Sequence, residues 1–164
     1  MKRLYLMRHA KSSWKQPELD DHQRPLNKRG KKAAPEMGRR LNRRGIRLDA
    51  IVSSDARRAV DTAAAVAETV GVTAKNIHLD ADLYHASPDR ILKAIGRFDD
   101  QWTQVMLVGH NPGFTALANR FYPHTIANVP TAGIVALTFE TASWKHINRN
   151  NLTFSDFDYP KNKG

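Results

Sequence analysis

The sequence predicts an α/β fold: a three-layer α/β/α sandwich with a mainly parallel central sheet. Three observations carry this. Short apolar runs alternate with stretches of helical spacing, which is how helices come to cover both faces of a parallel sheet. Three of those runs, ending near residues 8, 53 and 109, stop abruptly in polar residues, as buried strands do at their exits. No repeat, low-complexity tract or linker interrupts the 164 residues, so a single domain is expected over residues 1–158, followed by a polar tail at 159–164.

Each element follows from local chemistry. Leu4-Tyr5-Leu6-Met7 is an apolar run closed by Arg8 and His9, and reads as a buried strand. A polar loop from Lys11 to Asn27 follows, with Pro17, Pro25 and the acidic pair Asp20-Asp21. Asn27 is a helix cap, and Ala33, Ala34, Met37 and Leu41 keep helical spacing to about Arg44, where Gly45 is a natural stop. Pro35 inside that helix is a potential kink. Residues 49–54 form a short strand, and Val60, Ala63, Ala64, Ala67 and Val70 mark a helix ended by Gly71. Residues 77–79 read as an edge-like strand. Ser87 followed by Pro88 is a strong helix start, and Ile91, Leu92, Ile95 and Phe98 fill its apolar face. Val105-Met106-Leu107-Val108 is the clearest buried strand. A helix carrying Phe114, Leu117, Ala118 and Phe121 comes next, and then a strand over residues 133–139. Residues 144–147 are expected to return as its hairpin partner, and the last five residues to be disordered.

Composition narrows the function. There is no cysteine, which excludes disulfides, thiolate metal sites and cysteine nucleophiles. No run of about 18 apolar residues is present, so no membrane span is expected. With no leader either, a cytoplasmic location is the expectation. Lys and Arg number 26 against 16 Asp and Glu, a net charge of +10 that favours anionic partners. The basic residues concentrate at positions 28–32 and 39–44, where a solvated helix face is the commoner explanation. Basic residues interleaved with aromatics, the pattern of nucleic-acid binders, are missing, and nucleic acid is not an expected partner.

Parallel strands bring their carboxyl ends to one edge of the sheet, where α/β proteins place ligands. Arg8-His9, the turn from Ser53 to Arg58 and Gly109-His110-Asn111 therefore converge. Guanidinium groups suit bidentate phosphate binding. A neutral imidazole is a nucleophile near neutral pH, and a second histidine can hydrogen-bond the transferring phosphoryl group. Charge stabilisation by these groups requires no metal, and no cofactor is expected.

These residues match a known pattern. Arg8-His9-Ala10, Ser53-Ser54-Asp55-Ala56-Arg57-Arg58-Ala59-Val60-Asp61-Thr62 and Val108-Gly109-His110-Asn111 stand in the order of three signatures of the histidine phosphatase superfamily, which the chain resembles. The resemblance implies the phosphoglycerate mutase-like fold. Within it, the short chain, Arg8 to Trp14, Arg24 to Gly30, Gly109 to Gly113 and Pro130 to Gly133 resemble the small bacterial phosphohistidine phosphatases of the SixA type. The resemblance implies that His9 is the nucleophile and that Arg8, Arg58 and His110 form the phosphate pocket. Arg58 is chosen over Arg57 because it directly precedes Ala59 and stands four before Thr62, as the motif requires; successive helical residues point about 100° apart, so one of the two faces the pocket. The implied substrate is a phosphorylated protein, phosphohistidine first. The alternatives are a small phosphate ester or a non-catalytic role in binding phospho-ligands. The protein is expected to act as a monomer.

The chain departs from the family pattern in three places. Ala10 replaces the usual glycine. Lys15 follows Trp14 where the mutases carry a phosphate-binding asparagine; Lys11, Ser12 and Arg24 are the candidates to replace that contact, with Asn111 a further binding candidate. The carboxylate that protonates the leaving oxygen in many relatives has Asp82 as its nearest candidate, with Asp80 and His85 behind it. Asp80-Ala81-Asp82 also loosely matches the nucleophile motif of magnesium-dependent haloacid dehalogenase-type phosphatases, but Leu83-Tyr84 is wrong for the positions that follow. The seven histidines include no i, i+4 pair of the kind that binds zinc.

Overall fold

Strand β1 (Lys2–Arg8) lies inside the sheet, and its side chains alternate between the two hydrophobic cores of the molecule. The computed structural model describes residues 1–162. Among them, β1, β2 (Ala50–Ser53), β3 (Ile77–Leu79), β4 (Gln104–Gly109), β5 (Ile134–Phe139) and β6 (Leu152–Asp158) form one sheet in the order β3-β2-β4-β1-β5-β6. The first four are mutually parallel; β5 runs antiparallel to β1, and β6 antiparallel to β5.

Four helices cover the faces: α1 (Lys28–Arg43), α2 (Arg57–Val70), α3 (Pro88–Gly96) and α4 (Gly113–Phe121). Leu4 and Leu6 join Val105 and Leu107 under Ile91 and Ile95 of α3 and Phe114 and Leu117 of α4. Tyr5 and Met7 join Met106 and Val108 under Met37 and Leu41 of α1 and Ala63 and Val66 of α2. The period-2 alternation of a strand buried on both faces produces these two cores and hence the three layers.

The caps behave as their residue types require. The Asn27 side chain accepts from the Gly30 N–H at the start of α1, and Ser87 accepts from the Arg90 N–H with Pro88 in the first turn of α3. Pro35 lies inside α1 without ending it. Gly30 is needed where it stands: a Cβ there would lie 2.2 Å from the Lys11 carbonyl oxygen. The first turn of α1 thus presses on the exit of β1. The loop between them doubles back on itself, with Ser13 N–H donating to Pro25 O at 2.8 Å and Asn27 N–H to Lys11 O at 3.0 Å.

Two expectations at the C-terminal end are corrected. The partner of β5 is residues 152–158, not 144–147. Trp144 is instead 1% exposed in a 3-10 turn, its indole N–H donating 2.9 Å to the Trp102 carbonyl. An aromatic able to fill the core is worth more there than on an edge strand; truncating such a residue costs about 3–5 kcal/mol. Nor are residues 160–162 loose. Arg40 donates to the Tyr159 and Pro160 carbonyls, and Asn162 N–H donates to Tyr159 O. The rest of the expected disorder, at residues 163–164, lies outside the described residues.

Candidate functional site

Register puts the loaded strand ends side by side. Arg8 of β1 stands opposite Gly109 of β4, and Ser53 of β2 opposite Val108. The exits are laced by main-chain bonds: His9 N–H donates to Gly109 O, and Ala132 N–H to the carbonyls of Arg8 and His9. Gly109 is required here because a Cβ would lie 2.5 Å from the Phe114 ring.

Two imidazoles face each other in a cleft of about 580 Å³, ring centroids 5.1 Å apart and planes inclined by 52°. His9 is 7% and His110 4% exposed. His9 Nδ1 lies 2.7 Å from the Ala10 carbonyl oxygen. A carbonyl only accepts, so Nδ1 carries the proton and Nε2 keeps its lone pair. Arg58 Nε donates to that Nε2 at 3.4 Å. His110 Nε2 is 2.8 Å from Ser54 Oγ, which also accepts from Ala56 N–H. Where the Ser54 hydroxyl donates to Nε2, the proton of His110 sits on Nδ1.

Both imidazoles are held neutral. Burial pushes His9 down to about 4, with Arg58, Arg8 and Arg24 adding repulsion and the Ala10 carbonyl opposing it. Burial pushes His110 down to about 3, reinforced by His9 and Arg58.

The arginines divide as the motif implies. Arg58 is 3% exposed and turned into the cleft, whereas Arg57 is exposed and pairs with Asp61 along α2. Arg8 Nη1 donates to Val129 O. Thr62 has a visible purpose: its hydroxyl accepts from Ala10 N–H and donates to Arg58 O, tying the residue after His9 to the turn that carries Arg58.

The loop between β1 and α1 closes the cleft. Arg24, 7% exposed, donates to Asp21 Oδ1 and to Ser12 Oγ, and its guanidinium carbon lies 3.5 Å from the centroid of the exposed Trp14 ring. Lys11 and Ser12 line the cleft beside it. Asn111 lines it too, but its amide is fully occupied: Oδ1 accepts from Thr115, and Nδ2 donates to Asn128 and Val129.

Asp82 is not brought to the cleft. It lies outside the lining, largely exposed, with Arg97 Nη2 3.5 Å from its Oδ2. The 3-10 turn at residues 81–83 buries Leu83 and turns Asp82 outward. The carboxylate that does enter the cleft is Asp21. Its Oδ2 accepts from Arg58 Nη2 at 2.9 Å and from the Tyr84 hydroxyl at 2.6 Å. Burial opposes its ionisation, but the donors Tyr84, Arg58 and Arg24 hold it well below the usual carboxylate range. Sequence reasoning noted Asp21 only as half of an acidic pair; its i, i+3 spacing from Arg24 was the available signal. His85 also lines the cleft, 3.5 Å from Asp21 Oδ2, on a backbone with φ of 53°.

Among the described residues, two buried side-chain nitrogens, Arg8 Nε and His110 Nδ1, have no hydrogen-bond partner. Buried donors are rarely left so. Three guanidiniums against one carboxylate leave two positive charges uncompensated. Both features call for an anion with several acceptor oxygens. Among the described residues, no group of three or more His, Asp or Glu side chains is placed to hold a metal ion, and no helix is long and apolar enough to cross a membrane.

Comparison with known proteins identifies the family and the fold. The family model described as "Histidine phosphatase superfamily (branch 1)" matches residues 4–87. The chain belongs to the histidine phosphatase superfamily. An uncharacterized Mycobacterium tuberculosis protein is 37% identical over 113 residues, covering 68% of this chain and 67% of that one. An uncharacterized chloroplastic protein of Arabidopsis thaliana is 31% identical over 126 residues, 72% of this chain; the match spans 58% of that protein's length. A structure assigned to the phosphohistidine phosphatase SixA of Agrobacterium tumefaciens superposes with a TM-score of 0.81 at 28% identity, covering 97% of this chain and 98% of that one. The fold is the phosphoglycerate mutase-like fold of the SixA structures, and the likeness sets the chain in the SixA-type branch of the superfamily.

Proposed function

We propose that this histidine phosphatase removes phosphate from phosphohistidine through a phosphorylated His9. One observation carries the reading: His9 offers an unprotonated Nε2 among three guanidiniums, beside two buried donors that lack an acceptor.

In the first step His9 Nε2 attacks phosphorus, the P–Nε2 bond forms, and the bond from phosphorus to the substrate imidazole breaks. The Nδ1–H to Ala10 carbonyl bond stabilises the positive charge that the phosphorylated ring acquires. Arg8 Nε, Arg58 and His110 Nδ1 donate to the equatorial phosphoryl oxygens, where charge spreads in the transition state. In the second step water attacks phosphorus, the P–Nε2 bond breaks, and inorganic phosphate leaves with His9 restored.

The protonation chemistry favours a nitrogen leaving group. Asp21 is held ionised by its donors and cannot serve as a carboxylic acid. His85 lines the cleft 3.5 Å from Asp21 Oδ2 and is placed to hand a proton to the departing group. An alkoxide leaving from a stable monoester asks more of the donor.

The test is to trap the phosphoenzyme with phosphoramidate and map the acid-labile phosphate by mass spectrometry. Label on His9, lost in His9→Ala, with full turnover in excess chelator, is the expected result. Label on Asp80 or Asp82, or turnover that survives His9→Ala, overturns the reading. Faster turnover of small alkyl phosphates than of phosphohistidine favours the ester alternative.

A further inference from the structure

We infer that a cationic groove beside the cleft docks an acidic polypeptide segment of the phosphorylated partner. This deepens the phosphohistidine reading and rests on it. The groove, about 680 Å³, shares Lys11, Ser13, Lys15 and Asn27 with the cleft, so an occupant of one reaches the other. Lys28, Arg29 and Lys31 of α1 line its far side, and no Asp or Glu lines it.

These cations are set apart from the basic residues elsewhere on α1 by their partners and their position. Lys11, Lys15, Lys28, Arg29 and Lys31 are all exposed, and among the described residues none makes an ion pair. The basic residues at the other end of α1 behave differently: Arg39, Arg40 and Arg43 pair with Glu36, and Arg44 pairs with Asp156. The unpaired set also surrounds the first turn of α1, which holds no acidic residue. The helix dipole disfavours cations there. A solvated face has no reason to collect positive charge at the one helix end that repels it. A binding face for carboxylates does.

Trp14 adds the second element of an interface. It is 73% exposed, lines the cleft, and lies over the Arg24 guanidinium, its ring centroid 3.5 Å from the guanidinium carbon. An exposed aromatic at a phosphate pocket, beside a cation-lined groove, is a hot-spot arrangement for a protein partner. One aromatic is too few to stack successive bases, which argues for a polypeptide over a nucleic acid.

The experiment compares three probes: phosphoimidazole and two phosphohistidine peptides of equal length, one flanked by Glu and Asp, the other by Gln and Asn. At low salt the acidic peptide is expected to exceed the neutral one by about tenfold in kcat/KM, mainly through KM, with the preference erased near 0.5 M salt. The triple variant Lys28→Glu/Arg29→Glu/Lys31→Glu is expected to remove the preference and leave phosphoimidazole turnover unchanged. Glutamates suit a helix N-terminus, so the variant folds; the corresponding Gln variant is expected to give a smaller loss in the same direction. Equal kcat/KM for the two peptides overturns the groove while leaving the phosphohistidine reading intact. Failure to turn over phosphoimidazole overturns both. Inhibition by a single-stranded oligonucleotide stronger than by an unphosphorylated Glu-rich peptide overturns the groove in favour of nucleic acid.

Discussion

Two regions of this molecule are built from arginine, and they treat it in opposite ways. At the end of α1, Arg39, Arg40, Arg43 and Arg44 each meet a carboxylate, and Arg40 also donates to the Tyr159 and Pro160 carbonyls. In the cleft, Arg24 and Arg58 share the carboxylate of Asp21, while among the described residues Arg8 pairs with no carboxylate and its Nε has no acceptor. The first arrangement is complete and holds the chain together. The second is incomplete, and a phosphoryl group supplies the missing acceptors. In this fold, chemistry sits where electrostatic matching has been withheld.

That contrast can be broken most sharply at His9. His9→Ala is expected to reduce turnover by at least about a thousandfold while the protein remains folded, read by steady-state kinetics beside a thermal melt. Next come the adjacent arginines of α2. Arg58→Ala is expected to cost about a hundredfold or more in kcat, and Arg57→Ala to stay within about twofold, because one faces the cleft and the other water. Comparable losses would mean that burial does not separate their roles.

Acid titration tests the cleft in another way. His9 and His110 have folded values of about 4 and about 3, below the ordinary histidine value of 6.5. Above 6.5 both states are neutral. As pH falls below 6.5 the unfolded chain takes up protons that the folded cleft refuses, so stability falls until the folded values are passed. Urea melts at pH 7 and pH 4 are expected to differ by on the order of 6 kcal/mol, divided about equally between the two imidazoles, and a His9→Asn variant to show a shallower slope.

Smaller effects belong to the completed region. Arg40→Ala is expected to lower unfolding free energy by about 1–2 kcal/mol with kcat unchanged, since it loses several part-buried bonds and touches no cleft residue. Asp82→Asn is expected to change neither quantity measurably, whereas His85→Ala is expected to slow alkyl phosphates about tenfold and phosphoimidazole less. A large loss in Asp82→Asn would restore it as the proton donor.

Much of this was readable in the residues. The apolar run Leu4-Tyr5-Leu6-Met7 announced a buried strand, and Ser87-Pro88 a helix start. That Arg8-His9 and Gly109-His110 reach one edge of the sheet follows from parallel strands, and the pairing sets Arg8 opposite Gly109. Asp21 was not readable as a site residue, because its place depends on a loop folding back so that Arg24, Arg58 and Tyr84 meet around one carboxylate. The partner of β5 was misread because Trp144 had an apolar pattern suited to a strand and was taken by the core instead.

By itself the sequence determined the order and type of the elements, and which strand ends carry imidazole and guanidinium, because periodicity and capping act within a few residues. Only the tertiary structure decided which proton His9 keeps, which carboxylate enters the cleft and which cations go unpaired. Those depend on contacts between residues far apart in the chain, whose geometry no local pattern contains.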